Sequence, residues 1–289
     1  MLAFPPLQRR TTNSGASAYR TSGVGSPVVL LHGWGASSRY WVGAPQFLTA
    51  QRTLIAPDLP GFGAGEPPSG PTTLNSMVRH VIDLADAMGL ERFALVGHSL
   101  GAGVALLLAA HYPERVDRLA LVSFGLPRDR IEALTFAWLH IQQSVNATFW
   151  APWLTLWRPW LALSQPWREQ FWSMPPLPQL LAAPLVKAPV QAEMLQAGVL
   201  DLAQMDVRVA LESAATNGDP QVLQAAATVR APTAVINGEV DPLFPPESAK
   251  ALTNTLDLAR MVVLPNCGHV PMAEAPEPFY AFLSAFLLA

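Results

Sequence analysis

One cysteine, Cys267, stands in the 289 residues of the chain. That scarcity excludes an internal disulfide framework and a multi-cysteine metal site. Charge is scarce as well: 13% of residues are charged, and the net charge is −3. The basic residues are mostly arginine and scattered, with no cluster beyond Arg9–Arg10, so nucleic acid is not an expected partner. A spanning helix needs about 20 predominantly apolar residues. The longest stretch without formal charge, Ala133–Trp157, is interrupted by Gln142, Gln143, Ser144, Asn146 and Pro152 and does not qualify. The opening M-L-A-F-P-P-L-Q-R-R lacks a charged segment ahead of its apolar residues and carries two prolines, so no signal peptide is expected. A cytoplasmic monomer or homodimer is the expectation. No pair of histidines has metal-ligand spacing beside a carboxylate, and Gly61–Gly70 is not followed by Lys-Ser/Thr. Neither a catalytic metal, a phosphate loop nor a cofactor is expected.

What the chain has in quantity is apolar residues, 51% of the total, enough for a large core. After a polar arm over residues 1–26, with one or two short edge strands around Ser17–Thr21, buried-type strands alternate with helical segments. Strands are expected at Pro27–Leu31, Thr53–Ala56, Phe93–Val96 and Leu119–Ser123, and a short helix within residues 37–50. Leu74, Met77, Val81, Leu84, Ala85 and Met88 recur at helical spacing, with Thr72 or Thr73 as N-cap and Gly89 as C-cap. The alternation stops for about a hundred residues and resumes with strands Thr233–Ile236 and Met261–Leu264 and helices Pro246–Leu256 and Glu277–Leu288. This order predicts an α/β fold with a mostly parallel, eight-stranded sheet flanked by helices. Residues 1–124 and 229–289 form its core; residues 125–228 are a helical insertion after the sixth strand, whose last third reads as two helices.

Within the core, Arg92–His111 reads as strand, tight turn and buried helix, with Ser99 at the tip between Gly97 and Gly101. Glycines suit a strained turn with no room for a Cβ, and a helix N-terminus favours negative charge developing at the serine. Such a G-x-S-x-G pattern arises by chance in about one chain in ten of this length, so other residues must support it. In an open parallel sheet, functional groups collect at the carboxyl ends of strands. That rule selects Asp241 in the loop after Thr233–Ile236 and His269 in the loop after Met261–Leu264, with Glu239 a rival for the acid. A serine hydroxyl needs a neutral imidazole to take its proton and a carboxylate to orient that imidazole. Activity is therefore expected to fall below about pH 6–7. Backbone N–H groups of Leu100 and of Trp34, in the glycine-rich His32–Gly35 loop, are candidates to hold the oxyanion.

These residues, together with Asp58–Gly63, resemble the α/β-hydrolase fold superfamily, and more narrowly its serine hydrolases with a helical cap. Those include esterases, lipases, carbon–carbon bond hydrolases and cofactor-free haloperoxidases. The resemblance implies a Ser99–Asp241–His269 triad and a cap at residues 125–228. Two departures stand out. Gly65 occupies a place where the family often has Ser, and Val270 and Pro271 follow His269 where ring-fission hydrolases often carry Trp. Ser99 also stands where epoxide hydrolases and haloalkane dehalogenases of this fold have Asp, which excludes their chemistry.

Seven of nine tryptophans fall in the insertion, at 138, 150, 153, 157, 160, 167 and 172, accompanied by residues such as Leu161, while Arg158 is among its few charges. Trp34, Trp138, His140, Trp150, Trp153, Trp157 and Val270 are candidates to line a substrate pocket. With charge so sparse, a neutral, apolar carboxylic ester is the expected substrate, cleaved through an acyl-enzyme. Carbon–carbon hydrolysis and perhydrolysis are the alternatives, and a binding protein on this scaffold is a third. The Trp- and Leu-rich stretch around Pro152 and Pro159 could also rest weakly on a lipid interface. His32 and His98 read as structural, His80 and His111 as surface residues, and Cys267 as a small buried hydrophobe.

Overall fold

The structure is a computed structural model that describes residues 6–48, 50–216 and 218–289. The reading of Met1–Pro5 lies outside the described residues, as do the side chains at 151, 158, 161 and 162, among them Arg158 and Leu161.

The eight strands are β1 (Gln8–Thr12), β2 (Gly15–Ser22), β3 (Ser26–Leu31), β4 (Arg52–Pro57), β5 (Phe93–His98), β6 (Val116–Val122), β7 (Thr233–Gly238) and β8 (Ala259–Leu264). They form one sheet in the order β1-β2-β4-β3-β5-β6-β7-β8. The β1–β2 and β2–β4 pairings are antiparallel, and the rest of the sheet is parallel. The central strands are buried on both faces because successive side chains point to opposite sides, each covered by helices. Val29, Leu31, Leu95, Leu119 and Leu121 join one apolar cluster; their neighbours Val28, Leu30, Val96, Ala120 and Val122 join the other.

Between β3 and β4 lie a 3-10 turn at Ser38–Trp41 and the short α1 (Pro45–Leu48). Helix α2 (Leu74–Ala87) starts at Thr73, whose hydroxyl accepts from the Ser76 N–H while Ser76 Oγ accepts from the Thr73 N–H, a reciprocal cap. Helix α3 (Leu100–His111) follows the serine turn, and residues Gly101 to Ala109 are buried without interruption. Between β6 and β7 come α4 (Arg130–Leu163), α5 (Gln165–Trp172), α6 (Leu177–Ala182), α7 (Ala192–Gln204), α8 (Val207–Ala214) and α9 (Pro220–Ala226). Three helices thus fall in the stretch expected to hold two, because Met205–Asp206 and residues 215–219 each break the run. Val209 of α8 and Val222, Ala225 and Ala226 of α9 belong to the same apolar cluster as α2 and α3. The chain closes with α10 (Pro246–Thr255), β8, α11 (Pro271–Glu274) and α12 (Pro276–Leu288), the last packing Phe279, Leu283 and Phe286 on the opposite face.

The insertion is tied to the rest by polar links. Asp201 of α7, 1% exposed, pairs with the Arg39 guanidinium and accepts from Ser37 Oγ at 2.7 Å. Burial pushes its carboxyl up to about 6; Arg39 and the Ser37 hydrogen bond pull the other way without cancelling it. Glu212 accepts from the Thr72 N–H at 2.7 Å, and Arg208 donates to the carbonyls of Pro68 and Gly70 at 2.6 and 2.9 Å.

Candidate active site

Ser99 sits between β5 and α3 with φ 51° and ψ −115°, a left-handed conformation that a non-glycine residue holds only under constraint. The crowding around it explains its glycine neighbours. A Cβ on Gly97 would lie 2.2 Å from the Gly101 carbonyl oxygen, and one on Gly101 would lie 2.5 Å from that of His32. The turn is pinned by the Ser99 N–H, which donates to the Val122 carbonyl at 2.9 Å. The Ser99 carbonyl in turn accepts the first N–H bonds of α3, from Ala102 and Gly103.

Asp241 and His269 approach from the ends of β7 and β8. His269 Nδ1 lies 3.0 Å from both oxygens of Asp241, and both residues are buried. Against an ionised carboxylate, Nδ1 carries the proton and Nε2 is left with its lone pair. Burial pushes the Asp241 carboxyl up, but the hydrogen bond and charge interaction with His269 and the Phe244 and Leu243 N–H groups outweigh it, holding the group below the ordinary carboxylate value. Glu239 is exposed and accepts from the Asn266 N–H at 2.9 Å instead, so the structure places Asp241, not its rival, on the imidazole. No hydrogen bond joins Ser99 Oγ to His269 among the described residues; catalytic contacts of this kind often tighten only around substrate.

Two further groups hold the His269 loop: His98, expected to be structural, and Glu274, of which there was no sign in the sequence. His98, next to Ser99, donates from Nε2 to the His269 carbonyl at 2.8 Å, with the two rings 5.0 Å apart. Burial, followed by the neighbouring His269 charge, pushes His98 down to about 3, so it is a neutral strut. Glu274 accepts four backbone N–H bonds: Gly268 at 3.0 Å, Val270 at 2.9 Å, and Lys187 and Ala188 of the insertion at 2.7 and 2.9 Å. A lone Glu in a four-residue helix gives no sequence signal for such a clamp.

The expected structural histidine His32 accepts from the Leu59 N–H at Nε2, 2.9 Å, and donates from Nδ1 to the Gly33 carbonyl at 2.8 Å, which sets the bend leading to Trp34. Gly33 is required there, since a Cβ would come within 2.8 Å of His98 Nδ1. His80 differs from its surface reading. It is buried, lies 3.3 Å from Ser17 Oγ through Nε2, and is pushed down to about 4, chiefly by burial. An edge of the antiparallel strands covers it, which helical spacing alone does not reveal. Cys267 is buried and its thiol is pushed up to about 12, first by burial and then by the Glu274 and Asp241 charges, so it is no nucleophile.

A cavity of about 550 Å³ opens at Ser99. Trp34 and Leu100, the two oxyanion candidates, line it with Phe124, Phe136, Leu223 and Phe244. Ser213, Thr216 and Asp219 are its hydrogen-bonded polar members, and Gln143 contributes a buried Oε1 without a partner. Among the described residues, no Lys or Arg lines it. Of the expected pocket residues, Trp34 alone lines this cavity. Trp138 is exposed, His140 Nδ1 pairs with the Ala215 carbonyl, Val270 is packed in the far apolar cluster, and Trp150, Trp153 and Trp157 border a separate open groove. The reason is the phase of α4: its inward positions are Ala133, Phe136, Ala137, His140, Gln143 and Ala147, and the tryptophans fall between them.

Comparison with known proteins agrees with this architecture. A 2-hydroxymuconate semialdehyde hydrolase of Pseudomonas putida is 32% identical over 293 residues, covering 94% of this chain and 92% of that protein. A pimeloyl-[acyl-carrier protein] methyl ester esterase of Nitrosomonas europaea is 28% identical, covering 92% and 97%. Uncharacterised proteins of Mycobacterium tuberculosis and Mycobacterium bovis are 40% identical over 124 residues, so the chain spans only 36% of their length and 43% of its own. Among solved structures, a hydrolase from Pseudomonas aeruginosa superposes with a TM-score of 0.73 at 26% identity, covering 98% of both chains. The profile of the alpha/beta hydrolase fold matches residues 26–276, a span that contains the serine turn, both strand-end loops and the whole insertion, and the chain belongs to that family.

Proposed function

We propose that the protein is a serine hydrolase that cleaves neutral, apolar carboxylic esters through an acyl-enzyme, with residues 125–228 acting as a cap. The observation that carries this reading is the buried Asp241–His269 pair at the strand ends, its imidazole 5.0 Å ring to ring from His98, the residue before a conformationally constrained serine that lines an apolar cavity. His269 Nε2 takes the Ser99 proton as Oγ bonds to the ester carbon, and the carbonyl electrons move onto oxygen. The N–H groups of Trp34 and Leu100 receive that charge. The tetrahedral carbon then expels the alcohol, which leaves with the proton held by His269. Water, deprotonated by the same imidazole, attacks the acyl-enzyme and returns Ser99 and the free acid. Asp241 keeps the imidazole in the required tautomer and stabilises its charged form.

The absence of cationic side chains from the lining among the described residues supports a neutral substrate, since an anionic one would call for a converging Arg or Lys. The test is a series of nitrophenyl esters from acetyl to palmitoyl, assayed on wild type and Ser99→Ala. The variant is expected to lose at least about a thousandfold in kcat/KM; activity retained above the denatured-protein background overturns the assignment.

A second reading, carbon–carbon hydrolysis by the same residues, is favoured by the similarity to the Pseudomonas putida hydrolase. A ring-fission dienoate assayed in parallel separates the two. Its carboxylate is a poor match for a cavity that no cation lines among the described residues, so the ester is expected to show the higher kcat/KM.

A further inference from the structure

We infer that the outer stripe of α4 docks on the surface of an uncharged, zwitterionic lipid layer, lying in its plane. At 100° per residue, Phe149, Trp150, Trp153, Leu156, Trp157 and Trp160 fall within a stripe about 120° wide. All six are exposed, Leu156 by 68% and Trp160 by 66%. The inward face of the same helix, marked by Phe136, His140, Gln143 and Ala147, is centred about 110° further round the axis and packs along α8. The stripe is therefore turned off that packed face and stands in solvent. Four of its tryptophans border one open groove with Leu154. At 34 residues, α4 is about 50 Å long, so the stripe belongs to an extended surface. Exposed apolar area on this scale marks an interaction site.

The chemistry of the stripe selects its occupant. Indole rings, apolar with one N–H donor, are the side chains that suit the boundary between headgroups and acyl chains. From Ala133 to Trp157 there is no charged residue, and Arg158 is the one cation within residues 149–160. Anionic headgroups would find no cluster of lysine or arginine there. A second copy packing helix on helix would lack the flanking charge pairs that set register, and four bulky indoles fill knobs-into-holes positions badly. Pro152 and Pro159 interrupt the regular ladder such a pairing needs. Among the described residues no helix is long and apolar enough to cross a membrane, so the helix rests on the layer and does not span it. The cavity over Ser99 is walled by the inward face of this helix at Ala133, Phe136 and Ala137.

This inference is independent of the hydrolytic reading, because its readout is binding. The full chain is mixed with phosphatidylcholine vesicles and followed by co-sedimentation and by the blue shift of tryptophan emission. Wild type is expected to bind. The variant Trp153→Gln, Trp157→Gln, Trp160→Gln is expected to partition at least about tenfold more weakly, with an unchanged far-UV spectrum and thermal midpoint because the three side chains are exposed. Wild type remaining in the supernatant overturns the inference, as does equal binding of the variant. Binding confined to anionic vesicles and abolished by salt would also overturn it. So would a lipid-free dimer in sedimentation velocity that the variant abolishes, since the stripe would then belong to a second copy.

Discussion

Helices α3 and α4 are both dominated by apolar residues, and their surroundings could hardly differ more. Helix α3 is enclosed by the sheet on one side and by α2 and α9 on the other, and every residue from Gly101 to Ala109 is buried. Helix α4 leans on α8 along one face only and presents Trp138, Val145, Phe149, Trp153 and Trp160 to solvent. Composition does not separate them. Connectivity does: α3 is a crossover between parallel neighbours β5 and β6 and must lie flat on the sheet, whereas α4 leaves the end of β6 and has only its own insertion to pack against. The core is held by apolar contact, which α8 and α9 of the insertion join, and polar contacts such as Asp201 with Arg39 and Glu212 with the Thr72 N–H tie the insertion further.

The contrast can be attacked from both sides. The largest effect is expected at Asp241→Asn, which leaves the packing of β7 intact but cannot fix the imidazole tautomer. A drop of about ten-thousandfold in kcat is expected, and a loss under tenfold would remove Asp241 from the mechanism. Next comes Leu106→Ala in α3, fully buried, with an expected cost of about 2–5 kcal/mol in urea unfolding. Asp201 gives a pH signature of comparable size. Its folded carboxyl keeps a proton up to about 6 against 3.8 for the free group, so the folded state holds more protons in that window. Stability should therefore fall by up to about 3 kcal/mol as pH rises from about 4 to 6, and Asp201→Asn should flatten that slope. Asp241 has the opposite sign: its contribution is present above the ordinary carboxylate value and is lost as pH falls through the depressed folded value. The smallest effect is expected at Leu156→Ala on α4, within about 0.5 kcal/mol in the absence of lipid. If it costs as much as Leu106→Ala, the two helices are not different environments after all.

Much of the core was readable because local chemistry and tertiary demand coincide there. The run Phe93–Val96 is apolar because both faces of β5 are covered, and Thr73 is a good cap in any helix. Asp241 and His269 were accessible through the rule that loops at the carboxyl ends of parallel strands face one cleft. His98 was legible as structural but its partner was not, and the clamp at Glu274 was not legible at all, since each depends on a backbone group brought close by folding. The wall of the cavity was misjudged for a different reason. Ranking by hydrophobicity selects Trp150, Trp153 and Trp157, but α4 turns its small and polar residues, Ala133, Ala137, Gln143 and Ala147, toward the protein. Helical phase, not size, decides what faces the cleft.

The backbone at Ser99 has a consequence for the balance between stability and activity. A serine held at φ 51° and ψ −115° costs the folded state about 1–3 kcal/mol relative to a relaxed residue. Glycine tolerates that conformation, so Ser99→Gly should raise the melting temperature while removing the nucleophile. Ser99→Ala keeps the Cβ and should not. The position that the proposed mechanism relies on for reactivity is then one of the weakest in the scaffold, and relief of strain and the proposed function point in opposite directions at a single side chain.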